Sequence, residues 1–216
     1  MKRIYIIFVG LLIFIYLLSE AVSHDKLFHN KKEYTKQNRW SIGIYTGKSP
    51  FNMVSATNNN PVITDEDITD IRAKYVADPF MIKVKSTWYM FFEIMNSNTN
   101  QGDIGYATSE NGLNWKYEKV VLDENFHLSY PYVFEHNGEF YMVPECHNIW
   151  EVRLYKATDF PTKWKLVKTL LKGNLVDPSV LHYNNKWWLF AGARKGKVKS
   201  TRLFYSNELT GPWIEH

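Results

Sequence analysis

Four carboxylates stand at matching places in a repeated pattern of this chain. Asp78 and Asp177 each precede a proline, Pro79 and Pro178, and Tyr130-Pro131 fills the same place between them. Glu93 and Glu145 each close an aromatic-rich run, where the third copy has Gly192. Several carboxyl groups on one rim are what glycoside hydrolysis requires. One keeps its proton to assist the leaving oxygen, and another is ionised to activate water or attack the sugar. Carboxylates held close push one another's pKa values apart, which makes that division possible. The plainer alternative is that each Asp before Pro closes a turn on its own backbone.

The elements that must position these groups are read from the repeat. Three seventeen-residue windows align without a gap: ADPFMIKVKSTWYMFFE from Ala77, SYPYVFEHNGEFYMVPE from Ser129 and VDPSVLHYNNKWWLFAG from Val176. Each has proline at its third position, then a short apolar strand, a polar turn and an aromatic strand. The turns Lys85-Ser86, Asn137-Gly138 and Asn184-Asn185 carry hairpin chemistry. Downstream of each window the pattern predicts a third strand, a turn, and a fourth strand opened by Trp115, Trp164 or Trp213. The units are spaced 52 and then 47 residues apart. No segment sustains a helical period.

An all-β chain of four-stranded meanders is thus expected, with blades at about 77–122, 129–171 and 176–216. Four short antiparallel strands per repeat form the blade of a β-propeller. The prolines suit the first position of an inner strand, where no ladder bond is lost. The tryptophans are expected to pack one blade on the next. A hairpin sets the start of one strand beside the end of its partner, so Asp78 is expected near Glu93 and Tyr130 near Glu145, all on one rim. Propellers usually close with four to eight blades. The stretch Arg39–Thr46 (RWSIGIYT) offers one more strand, such as the outer strand that closes a ring. The partial ring is read first as part of a longer protein, and second as an open ring that shields its last edge by association.

Composition narrows the ligand class. The chain has 8 Trp, 14 Tyr and 13 Phe, which suits both pleated sheets and the C–H faces of sugars. The net charge is +4, but the basic residues are scattered, so a nucleic-acid partner is not expected. The single cysteine, Cys146, allows no intrachain disulfide, and no Cys/His cluster has zinc spacing. No metal or cofactor is expected. Lys2 and Arg3 precede an apolar run from Ile4 to Leu18, the layout of a signal sequence or a signal anchor over residues 1–23. Residues 24–38 read as a polar tether. Either reading places the remainder across a membrane, lumenal or extracytoplasmic, anchored or secreted.

These residues also carry a family likeness. Asp-Pro at the start of an inner strand, with Glu on a later blade, resembles the five-bladed propeller glycosidases of families 43, 32 and 68. Glu145-Cys146 is similar to the Glu-Cys pair that carries the general acid in family 32. A closer likeness spans residues 39–216: RWSIGIY, YVADPF, TWYMFFE, HLSYPYVF, YMVPE, LVDPS and WWLFAG resemble the N-terminal propeller domain of glucosamine inositolphosphorylceramide transferases. The expected fold is thus an N-terminal hydrophobic helix, read from the apolar run, followed by about three blades of an incomplete propeller that the resemblance assigns to the five-bladed glycosidase type. Within the glycosidase pattern, Asp78 would be base or nucleophile, Glu145 the acid and Asp177 the orienting group. Departures are Tyr130, where family 43 commonly has Asp, the missing last blades, and the lack of a glycosyltransferase domain.

Two functions follow as expectations. The first is a propeller that recognises or processes a carbohydrate or glycolipid head group, accessory to glycosyl transfer and able to associate with a separate glycosyltransferase chain. The second is an inverting glycosidase using Asp78 and Glu145. A third reading is a truncated product without activity of its own. Glu93, Tyr130, His147, Arg72 and Arg194 are the expected substrate-binding residues, with His127 a further candidate. Trp88, Trp187 and Trp188 are expected in the core.

Overall fold

The computed structural model describes residues 40–195 and 198–216, with side chains for 40–193 and 200–216. The expected leader or anchor, its hydrophobic helix and the tether lie outside the described residues. Among the described residues no helix is long and apolar enough to cross a membrane.

The repeat forms three four-stranded antiparallel sheets in which sequence neighbours pair. After a short hairpin of β1 (Tyr45–Ser49) and β2 (Asn52–Ser55), the first sheet contains β3 (Ala73–Val84), β4 (Thr87–Asn96), β5 (Gly102–Ser109) and β6 (Lys116–Leu122). The second contains β7 (Ser129–His136), β8 (Glu139–Cys146), β9 (Glu151–Asp159) and β10 (Lys163–Lys172). The third contains β11 (Leu175–Tyr183), β12 (Lys186–Lys195), β13 (Val198–Ser206) and the two-residue β14 (Ile214–Glu215). The hairpin turns use left-handed residues where the sequence offers Asn or Gly: Asn137 and Gly138 in one, Asn184 and Asn185 in another, with Lys85 in the first.

Three apolar layers hold the sheets face to face. Ile42, Ile63 and Ile68 cover one face of the first sheet, against Val76, Met90, Phe92 and Ile94. Phe91 and Tyr106 of the first sheet meet Val133, Met142 and Tyr155 of the second. Val143 and Leu154 of the second meet Val180, Trp187 and Leu189 of the third. Each repeated tryptophan packs into the layer on its blade's leading face: Trp115 into the first, Trp164 into the second, Trp213 into the third. Two of them also tie down their own turns. The Trp115 Nε1–H donates to Gly112 O at 3.0 Å and the Trp164 Nε1–H to Pro161 O at 2.9 Å.

The segment before the first sheet differs from the expectation. Residues 40–46 add no strand to a blade. Ile42 makes an isolated bridge with Ile63, and Tyr45 enters the separate β1–β2 hairpin. Asn60 fastens the fold-back by accepting from the Ile44 N–H at 2.8 Å and donating to the Ile44 carbonyl at 2.7 Å. This segment therefore caps the first sheet by side-chain packing. Trp187 is in the core as expected, whereas Trp88 and Trp188 are only half-buried.

The repeat yields a paired test. Phe91 and Phe190 hold the same place in their windows, yet Phe91 is fully enclosed and Phe190 is 41% exposed. Phe91→Ala is expected to lower unfolding free energy by about 3–5 kcal/mol. Phe190→Ala is expected to lower it by less than about 1 kcal/mol. Urea denaturation of the two variants checks the difference.

Candidate functional site

Each inner strand begins with the same irregularity. The β3–β4 pairing shifts register between Ala77 and Phe80, β7–β8 between Ser129 and Tyr132, and β11–β12 between Val176 and Ser179. The extra residue is Asp78, Tyr130 or Asp177, and all three are left-handed, with φ of 52°, 47° and 52°. A left-handed non-glycine residue is uncommon, and at strand bulges it re-aims the chain. The proline that follows has no N–H to lose.

The bulge turns the backbone toward the preceding sheet. The Asp177 N–H donates to Glu145 Oε2 at 2.8 Å. The backbone of Tyr130 lies near enough to Asp78 to oppose the rise of its carboxyl. A carboxylate of the second sheet thus grips the bulge of the third. The Tyr130 hydroxyl adds a contact to Ser179 Oγ at 3.1 Å. Glu93 and Glu145 sit opposite Ala77 and Ser129, beside the bulges, as the hairpin geometry requires.

The four carboxyl groups therefore converge, and Asp78, Glu93 and Glu145 are each raised in part by a neighbouring acid. Glu93 is only 5% exposed. Burial, then the Asp78 charge, pushes it up to about 7. Burial also pushes Glu145 up to about 7, with the Asp177 N–H opposing and the Asp177 charge adding to the rise. Asp78 is raised by burial and by Asp177. The dominant cause is desolvation, which penalises the ionised form, and like charges reinforce it.

His127 completes the floor. Its Nδ1 accepts the Gly102 N–H at 2.9 Å, so its own proton is on Nε2, 3.6 Å from Glu93 Oε1. Burial lowers His127 while it raises Glu93, so both shifts oppose a charged pair and the contact is no ordinary ion pair. Tyr75 donates its hydroxyl to Glu93 Oε1 at 3.4 Å, and burial with the Glu93 charge pushes Tyr75 up to about 12. His147 lies close enough for its charge to lower His127, and its Nδ1 is buried without a hydrogen-bond partner. A cavity of about 450 Å³ opens beside Asp78 and Glu93, walled by Trp40, Ser41 and Tyr75.

Of the expected site residues, Asp78, Glu93, Tyr130, Glu145, His147 and Asp177 are brought together, with His127. Arg72 is not. Its side chain is exposed, and its carbonyl accepts the Ser97 N–H at 2.7 Å. Arg194 lies in β12 with its backbone opposite Lys199, and its side chain falls outside those described. Trp40 and Tyr75 were not singled out by the sequence. Among the described residues no group of three or more His, Cys, Asp or Glu is arranged to hold a metal ion.

The family model for "Glucosamine inositolphosphorylceramide transferase 1, N-terminal" matches residues 33–216. The chain belongs to this family. It is 41% identical over 197 residues to glucosamine inositolphosphorylceramide transferase 1 of Oryza sativa subsp. japonica, and 38% identical over 197 residues to that of Arabidopsis thaliana. Each match covers 82% of this chain, which spans 26% of the length of either relative. Among solved structures it is similar to an exo-β-1,3-galactanase of Phanerochaete chrysosporium complexed with β-1,3-galactotriose. The TM-score is 0.65 at 17% identity, over 82% of this chain and 43% of that one. An α-L-arabinanase of Cellvibrio cellulosa complexed with arabinohexaose gives a TM-score of 0.57 at 17% identity, over 80% of this chain and 66% of that one. At such identity the likeness is one of fold: the sheets are β-propeller blades of the glycoside-hydrolase type. The family, and the all-β architecture of four-stranded antiparallel blades, are those the sequence motifs indicated.

Two outcomes test the site's construction. A Cβ on Gly102 would fall 2.2 Å from the Leu128 carbonyl oxygen and 3.0 Å from Glu93 Oε1. Gly102→Ala is expected to cost about 3 kcal/mol, read as a lowered Tm. Glu93 has its ordinary value of 4.5 raised to about 7, so between those pH values the folded chain binds more protons than the unfolded one. The stability from this group is full below 4.5 and lost as pH rises through about 7. Glu93→Gln is therefore expected to flatten the fall in Tm across that window and to raise Tm at pH 8 by a few degrees, as scanning calorimetry would record.

Proposed function

We propose that this chain is a carbohydrate-recognising β-propeller domain, accessory to glycosyl transfer onto a glycan or glycolipid. The observation that carries this reading is the convergence of Asp78, Glu93, Glu145 and Asp177 beside an aromatic-walled cavity. Carboxyls that accept or, when protonated, donate hydrogen bonds are suited to sugar hydroxyls, and aromatic walls to their C–H faces. The family's curated relatives are transferases, so a sugar-binding role beside a transferase is consistent with the name they carry. In finer terms, we assign the ring to the five-bladed glycosidase type, of which these sheets form part. The domain is placed on the lumenal or extracytoplasmic side, anchored or secreted through residues 1–23, where it associates with a glycosyltransferase chain and the membrane.

A second reading is favoured by the rim's protonation. Glu145, raised to about 7, still holds a proton over part of the neutral range and has the acidic Asp177 beside it. These features suit a general acid with an orienting partner, with Asp78 as base in an inverting hydrolysis.

One experiment separates the readings. Glycan-array binding of the full chain is followed by assay of the bound glycan for released reducing sugar. The expected result is saturable binding, weakened about tenfold or more by Glu145→Gln, with no release. Release abolished by Glu145→Gln and by Asp78→Asn would select the hydrolase. Absence of binding to any glycan would contradict both.

A further inference from the structure

The cavity beside Asp78 has a composition that restricts what can enter it. Its volume is about 450 Å³, and its lining includes Trp40, Ser41, Tyr75, Asp78 and Glu93, with no lysine or arginine among the described residues. Two of these lining groups are acids, and none of the described ones is a cation. The lining also includes a tryptophan. Trp40 is 68% exposed, although most of the chain's tryptophans are partly or fully buried.

Exposure alone would carry little meaning if this residue were loose, but its backbone is held. Its carbonyl accepts the Val76 N–H of β3 at 3.4 Å. Two residues on, Ile42 is buried and bridged to Ile63, and Asn60 clamps Ile44 from both sides. The backbone that carries the indole is thus held beside the cavity by hydrogen bonds and buried neighbours. A rigid aromatic plane with polar groups alongside is the usual composition of a site for a ring with apolar and hydroxylated faces.

We propose that this cavity is a subsite for a pyranose ring bearing no negative charge, stacked on Trp40, and that Asp78 and Glu93 exclude uronates and phosphorylated sugars from it. The assignment rests on the glycan-recognition reading and narrows it to one wall, one pair of acids and one ligand class. The exclusion is Coulombic. An anion placed beside these two acids in a partly desolvated cavity meets repulsion that water screens poorly. It must therefore weaken with salt and with protonation of Glu93, which burial has raised to about 7. The stacking is apolar and must respond to neither.

Matched probes test this: the methyl glycosides of glucose and glucuronic acid, and those of galactose and galacturonic acid. Binding is measured by saturation-transfer NMR and calorimetry on the full chain in a zwitterionic, sugar-free detergent. At pH 8 and low salt, at least one neutral glycoside is expected to bind at least tenfold tighter than its uronate. The gap is expected to shrink at least threefold in 0.5 M salt, and again at pH 5, where the uronate is still ionised. Trp40→Ala is expected to weaken the neutral glycoside at least tenfold with Tm unchanged, and Trp40→Phe to restore most of it. A uronate that binds as well as its neutral partner, or neutral binding that survives Trp40→Ala, overturns the subsite while leaving glycan recognition standing. If none of the four probes binds here but longer glycans bind the chain, the subsite is likewise overturned. If no glycan binds at all, the underlying reading falls with it.

Discussion

The acidic rim of this protein is organised by one backbone feature, the left-handed bulge near the start of each inner strand. Asp78, Tyr130 and Asp177 adopt it at the same window position, each followed by proline. Such backbone carries a cost of order 1 kcal/mol or more per residue, so it persists only where surrounding bonds over-determine it. Here such contacts run between sheets: the Asp177 N–H to Glu145, and the Tyr130 hydroxyl to Ser179 Oγ. The bulge and the carboxylate therefore maintain one another. Apolar layers press the blades together, and these polar contacts set their angular register at the rim.

That arrangement concentrates negative charge where water is scarce. A single buried carboxyl would simply stay protonated. Four that share a rim divide into groups that hold a proton near neutrality, Glu93 and Glu145, and groups nearer solvent, such as Asp177. His127 lends a donor to Glu93 without bringing a full charge, because burial disfavours its protonated form. The rim is consequently rich in hydrogen-bonding capacity of both signs, which polyhydroxylated ligands can use.

Much of this was legible in the residues, for local reasons. Proline, Asn-Gly-type turns and the strand-opening tryptophans act on their own segments, so three aligned windows became three meanders with little displacement of their bounds. The convergence of Asp78, Glu93 and Glu145 followed from hairpin pairing alone. What the windows could not convey were features depending on breaks in periodicity. Tyr75 and Asp78 are an odd number of residues apart and would face opposite sides of a regular strand, but register shifts in β3 bring both to Glu93. Trp40 reaches the rim because residues 40–63 fold back as a cap, which belongs to no repeat. Arg72 precedes β3 with its side chain exposed, and its backbone carbonyl accepts the Ser97 N–H.

The central claim is that acidic groups from successive blades share one buried rim. The most direct measurement is a ¹³C NMR titration of the side-chain carboxyls in glutamate-labelled protein, with Glu93→Gln and Glu145→Gln assigning the two resonances. The account expects both midpoints near 7, well above the ordinary 4.5, with the Glu145 curve shifting downward when Asp177 is changed to Asn. Two independent curves with midpoints near 4.5, indifferent to Asp177, would contradict it.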